Sequence, residues 1–191
     1  MNKKKNPELS RMFEFAGNRH WLTIAGCILA GLSTILSMIP FVCIWFVIRD
    51  ILHAMMQGNI SLAASSGHYA WLAVAFSMLS IFLYFVALCC SHLAAFRTAT
   101  NMKKEAMHHI VTLPLRYFSQ NASGRLRKII DDNAGLTEGF LAHQLPDLTG
   151  AVVMPVAVII LLFVFDWRLG ICCLLPLVIS VFFLKKMMGG D

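Results

Sequence analysis

Charge is what this sequence has least of. Asp, Glu, Lys and Arg make up 14% of its 191 residues, against roughly 25% in an ordinary soluble domain, while hydrophobic residues reach 58% and mean hydropathy is +0.70. That excludes a water-soluble globule and requires lipid around the chain. Metal-ligand spacing is also missing. The six cysteines include two adjacent pairs, Cys89/Cys90 and Cys172/Cys173, inside apolar runs, so neither a disulfide framework nor a zinc site is implied. They read as small apolar fillers of helices. No Gly-x-x-x-x-Gly-Lys-Ser/Thr, His-Glu-x-x-His or Gly-x-Ser-x-Gly occurs, so the common phosphate loop, metalloprotease and hydrolase signatures are absent. No catalytic, cofactor or metal residue is assigned. His108 and His109 are adjacent, so they face different directions on a helix and read as solvated.

Four stretches are long and uncharged enough for the roughly 20 residues that cross a ~30 Å hydrocarbon core. They are about 21–48, 69–96, 144–165 and 167–184. The first run follows a polar lead and is too long for a cleavable signal core, so it reads as an anchor. Of the 16 Lys and Arg residues, 14 lie before the first stretch, between the second and third, or after the fourth, leaving only Arg49 and Arg168 for the other side. Basic residues stay on the cytoplasmic face. The expectation is a multi-pass protein of the plasma (inner) membrane with both ends of this chain in the cytoplasm. The net charge of +6 is therefore a topology signal and not a nucleic-acid footprint. Residues 1–20 are a cytoplasmic lead in which Pro7 to Arg19 suggests an interfacial helix, with a plain basic tail as the alternative. Asn59-Ile60-Ser61 fits a glycosylation acceptor, a pattern short enough to arise by chance.

From 68 to 113 there is no Gly or Pro, where average usage in this chain places about four. One continuous helix of about 69 Å is predicted, more than twice the hydrocarbon thickness. Its far half keeps an apolar seam at Ala99, Met102, Ala106, Ile110 and Leu113, which needs partner helices outside the membrane. Pro114 ends it. A short segment closed by Gly124 then reverses the chain, and a second helix climbs back through Leu126, Ile129, Ile130 and Ala134.

The run Leu113-Pro114-x-x-Tyr117-Phe118, then Gly124-x-Leu126 and Asp131-Asp132, resembles the first intracellular loop of ABC exporters. The resemblance implies an all-α membrane protein: an ABC exporter-type transmembrane helical bundle with long intracellular helix extensions. It is incomplete here, with four of the family's six spans in 21–191 and an intracellular loop at about 97–143. The loop's coupling helix, Leu115, Arg116, Tyr117, Phe118, Ser119 and Gln120, docks on a nucleotide-binding domain in that family. Tyr117 and Phe118 would be the apolar anchors, or they fold back on neighbouring helices. The implied partners are that domain, a second transmembrane domain (same or different chain) and the bilayer. ATP and Mg would sit on the associated domain. The implied function is ATP-driven transport by alternating access, with any ATPase activity outside this chain. A non-transporting regulatory or assembly partner, or a truncated fragment, is the alternative.

Ionisable groups inside a membrane are costly and mark function. Asp147 is the acid inside a predicted span, and His143 lies four residues before it on one helical face, beside Pro146. These three are the substrate-path candidates. The competing reading is an interfacial Asp147, solvated or paired with His143. Pro146 and Pro155 mark a potential kink. His-x-x-Pro-Asp is also similar to a motif in siderophore-handling members of the family, some of them importers.

Overall fold

Long apolar runs that must hide their backbone from lipid have one local solution, the helix, and every element among the described residues is helical. The computed structural model describes residues 15–17, 20–58, 66–114, 116, 118 and 123–188. The elements are α1 (His20–Leu36), α2 (Ile39–Gln57), α3 (Ser66–Val111), α4 (Ser123–Gly139), a π-helical turn (Phe140–Gln144), α5 (Leu145–Phe165) and α6 (Trp167–Met188). Four helical stretches are long and apolar enough to cross a membrane: His20–Gln57, Ser66–Val111, Gly124–Phe165 and Trp167–Met187. The suggested interfacial helix before residue 20 and the Asn59 acceptor fall mostly or wholly outside the described residues.

The first apolar run does not form one helix, as its lack of charge suggests, but two. Pro40 has no N–H and a fixed φ, so it is accommodated in the first turn of a new helix. It stands there in α2. The break at Ser37 and Met38 is closed by Met38 N–H to Ile35 O (3.1 Å) and Ser37 Oγ to Thr34 O (2.7 Å). At the other end of α2, Gly58 takes a left-handed conformation (φ 64°) and its N–H caps the last carbonyls.

The gap in Gly and Pro has its predicted result: α3 is a single helix of 46 residues. It ends in tight i to i+3 bonds, Thr112 N–H to His109 O and Leu113 N–H to Ile110 O, each 3.1 Å, just before Pro114. α5 and α6 are divided at Asp166, whose carboxylate accepts from the Arg168 N–H (2.9 Å) as a helix N-cap.

The chain forms two compact units. In the first, Met1–Ser33 with Met78–Gly150, α1 lies close to α3. A Cβ added at Gly26 would stand 3.2 Å from the Ala87 carbonyl oxygen. Ser33 Oγ donates to Ser80 O (2.9 Å) and Ser80 Oγ to Ser33 O (3.3 Å). Ala30, Ala87, Ala94, Ala95, Thr98 and Ala99 are all buried. Without a hydrophobic effect between helices in lipid, small residues are what permit backbones to approach and dispersion to act. Asn101 Nδ2 donates to Phe15 O (3.0 Å), tying the segment before α1 to α3. Lys103 pairs with Asp131 (3.0 Å), tying α3 to α4. In the second unit, Thr34–Ser77 with Ala151–Asp191, rings make the joins: Trp45 on Phe165 (4.9 Å between centroids) and Phe46 stacked on Tyr69 (5.2 Å).

Candidate functional site

Two places carry the residues singled out from the sequence. The first is the reversal between α3 and α4. Arg116 is exposed there, and half-buried Phe118 lines a cavity of about 590 Å³ with Met107 and Ile110 of α3 and Leu126 and Ile130 of α4. Leu115, Tyr117, Ser119 and Gln120 lie outside the described residues. In the lining of the same cavity, Asp131 takes Lys103 and, more distantly, Arg127 (3.7 Å). The hydrogen bond from Lys103, with the charge of that ammonium, holds the Asp131 carboxyl below the usual carboxylate range.

The second place is the start of α5. Pro146 offers no amide to the Ala142 carbonyl, so an unbroken α-ladder is impossible there. The chain widens instead into the π turn Phe140–Gln144, with the Leu145 N–H bonded to Phe140 O. Leu141 and Ala142 anchor the turn by packing on Ala95 of α3, with Phe140 and Leu145 beside them. π turns of this kind concentrate at functional sites.

His143 and Asp147 are not joined to each other: among the described residues, no hydrogen bond or ion pair connects them. Both turn to α3. The His143 ring meets His92 edge to face (4.6 Å between centroids, 83°). The Tyr84 hydroxyl donates to Asp147 Oδ1 at 2.9 Å. The widened turn alters the simple four-residue register on which the expectation of one shared face rested. Pro146 is buried between them in the chain, while His143 and Asp147 are exposed. The structure thus makes two polar pairs along α3, His92 with His143 of the π turn and Tyr84 with Asp147 of α5.

Two of the four escaped the reading of the sequence. His92 carried a usable signal, an ionisable ring inside the second apolar stretch, to which the rule applied to Asp147 applies equally. Tyr84 carried none, since a tyrosine among Phe and Leu is ordinary helix filling. Its partner stands 63 residues away.

The sequence is 29% identical over 168 residues to the mycobactin import ATP-binding/permease protein IrtA of Mycolicibacterium smegmatis, covering 87% of this chain. It is 28% identical over 163 residues to the protein of the same name from Mycobacterium tuberculosis, covering 83%. The chain spans 18% of the length of each. The model of the ABC transporter transmembrane region matches residues 23–189, nearly all of the helical chain described above, and on that match the chain belongs to the ABC transporter transmembrane family.

Proposed function

We propose that this chain is membrane-spanning machinery of an ATP-driven transporter, which moves its substrate by alternating access. The ATP and Mg that drive it would be held by a nucleotide-binding domain on another polypeptide or another part of a longer one. A second transmembrane domain, identical or different, would complete the pathway. The observation that carries this is the family match over 23–189, supported by a 46-residue α3 that is about 69 Å long, far beyond one bilayer. A helix that long delivers motion at a docking tip to the membrane. The tip would be Leu115 to Gln120, with Tyr117 and Phe118 as anchors and Arg116, Ser119 and Gln120 as polar rim.

Closure of two nucleotide-binding domains would carry the tips with them, and helix pairs tied by contacts such as Lys103–Asp131 would rock the cavity between its two openings. His143, Pro146 and Asp147 are proposed to lie on the substrate path. The positive residues before α1, from the far half of α3 into α4, and in the last turn of α6 support cytoplasmic ends in an inner membrane. The two relatives, named as mycobactin import proteins, support a substrate of the siderophore class, taken inward.

The test is reconstitution of this chain, with the ATPase that co-purifies with it, in proteoliposomes. ATP-dependent movement of ferric mycobactin is expected. Tyr117→Ala with Phe118→Ala should leave basal ATP hydrolysis in place and cut transport severalfold, because the tip no longer grips its partner. ATP-dependent movement that is equal with and without this chain would overturn the proposal and favour a regulatory or assembly role.

A further inference from the structure

The polar cluster at the π turn has a chemical bias. Asp147 receives one hydrogen bond, from Tyr84; among the described residues its other oxygen, Oδ2, has no donor, and no Lys or Arg pairs with it. The hydroxyl of Tyr84 spends its proton on Asp147 and offers only lone pairs elsewhere. Each imidazole of the His92–His143 pair offers an N–H donor and, in its neutral form, one acceptor nitrogen. Neither 84–92 nor 143–149 contains a Lys or Arg. Asp147 thus gives the site an open anionic acceptor with, among the described residues, no Lys or Arg paired to it. Unsatisfied acceptors at membrane depth are tolerated where they line a cavity or meet a ligand. Exposed Phe85, Leu93 and Leu148 flank the cluster in sequence.

We propose that Tyr84, His92, His143 and Asp147 form a recognition patch for the head group of an amphipathic molecule, one that donates N–H or O–H hydrogen bonds and carries no negative charge. The inference rests on the transport reading for its purpose, but not for its test. An anionic head meets the Asp147 carboxyl with no cation to offset it. An ammonium or hydroxyl head finds the acceptors it needs and leaves its apolar body against the flanking side chains. The patch therefore sorts substrates by head-group charge, and Tyr84 sets the aim of Asp147 as a positioning residue.

Equilibrium binding to the full chain in lipid nanodiscs, without nucleotide, tests this with two probes of equal chain length, dodecylammonium and laurate. Binding to empty nanodiscs is subtracted. The chain should prefer dodecylammonium by about tenfold, the worth of one charge-assisted hydrogen bond. Asp147→Asn should abolish the preference and Asp147→Glu should retain most of it, which separates loss of the acid from loss of fold. Tyr84→Phe should keep the sign of the preference but weaken it, since the carboxyl survives and only its aim is lost. Equal binding of the two probes to the unaltered chain, or an undiminished preference in Asp147→Asn, overturns the proposal. Preference without ATP-driven transport leaves this inference standing and sinks the transport reading; transport without preference does the reverse.

Discussion

The two compact units join their helices by opposite means. Met1–Ser33 with Met78–Gly150 uses the smallest side chains, with Gly26 under the Ala87 carbonyl and Ser33 and Ser80 exchanging hydrogen bonds. Thr34–Ser77 with Ala151–Asp191 uses the largest, with Trp45 on Phe165 and Phe46 on Tyr69. Even Arg49 belongs to the second pattern, with its guanidinium 4.8 Å from the Phe46 ring centroid while it pairs with Asp50. Small residues bring backbone to backbone, where a misplaced atom has nowhere to go. Rings meet at their edges and can turn. The first kind of joint fixes register, the second tolerates adjustment, and the polar cluster at the π turn lies in the first.

The sharpest way to break that contrast is to put the same side chain into each unit. Gly26→Leu should be the most damaging change in the chain, because its Cβ alone meets a backbone oxygen at 3.2 Å. About 1–3 kcal/mol of overpacking is expected, read as a lower Tm and loss of monodisperse protein in detergent. At Gly170 the three atoms nearest an added Cβ all belong to the Phe163 ring, at 2.9 Å, and none to the backbone; Gly170→Leu is the matching change. Phe163 is 40% exposed and can swing aside, so the fall in Tm should be smaller. Equal losses at the two positions would erase the distinction between rigid and yielding joints.

A finer probe is the serine pair. Each hydroxyl donates to the other residue's backbone carbonyl, so Ser33→Ala and Ser80→Ala should each cost about 0.6 kcal/mol, typical of hydrogen bonds between membrane helices. No loss of stability from either change would show that close backbone approach alone holds α1 to α3.

The smallest effect belongs to the Lys103–Asp131 contact, which is open to solvent and screened by salt. The Asp131 carboxyl sits below its ordinary value of 3.8. Its stabilising contribution is thus present above that value and is lost as pH falls through the lower, folded-state value. Hydrogen exchange in Ser123–Gly139 should quicken slightly over that acid range, and Asp131→Asn should remove the pH step. A step of the same size in the variant would assign it to other carboxyls.

The helical class and the length of α3 were legible because both rest on local facts. Charge is absent over long runs, and no Gly or Pro interrupts 68–113. The break at Ser37–Met38 was legible in principle from Pro40, but the lack of charge across that run masked it. The π turn was harder to foresee. Pro146 announces a disturbed ladder without saying whether the helix will kink, break or widen, and the packing of Leu141 and Ala142 on Ala95 decides the outcome. The partners of His143 and Asp147 depend on how α5 pairs with α3, which no spacing within either segment reveals.

The five-residue turn at Phe140–Gln144 also has an arithmetic of its own. A π turn is an α-helix that has taken in one extra residue, and each residue advances the helix by about 100°. Deleting a single position there cannot restore a regular ladder while Pro146 still lacks its amide, so the residues downstream would be turned by about that angle instead. Asp147 would be carried off Tyr84, and the lipid-facing stripe of α5 would be re-clocked. This chain should therefore accept many substitutions in the turn and almost no change in its length, a signature that an insertion and deletion scan would reveal as one intolerant notch.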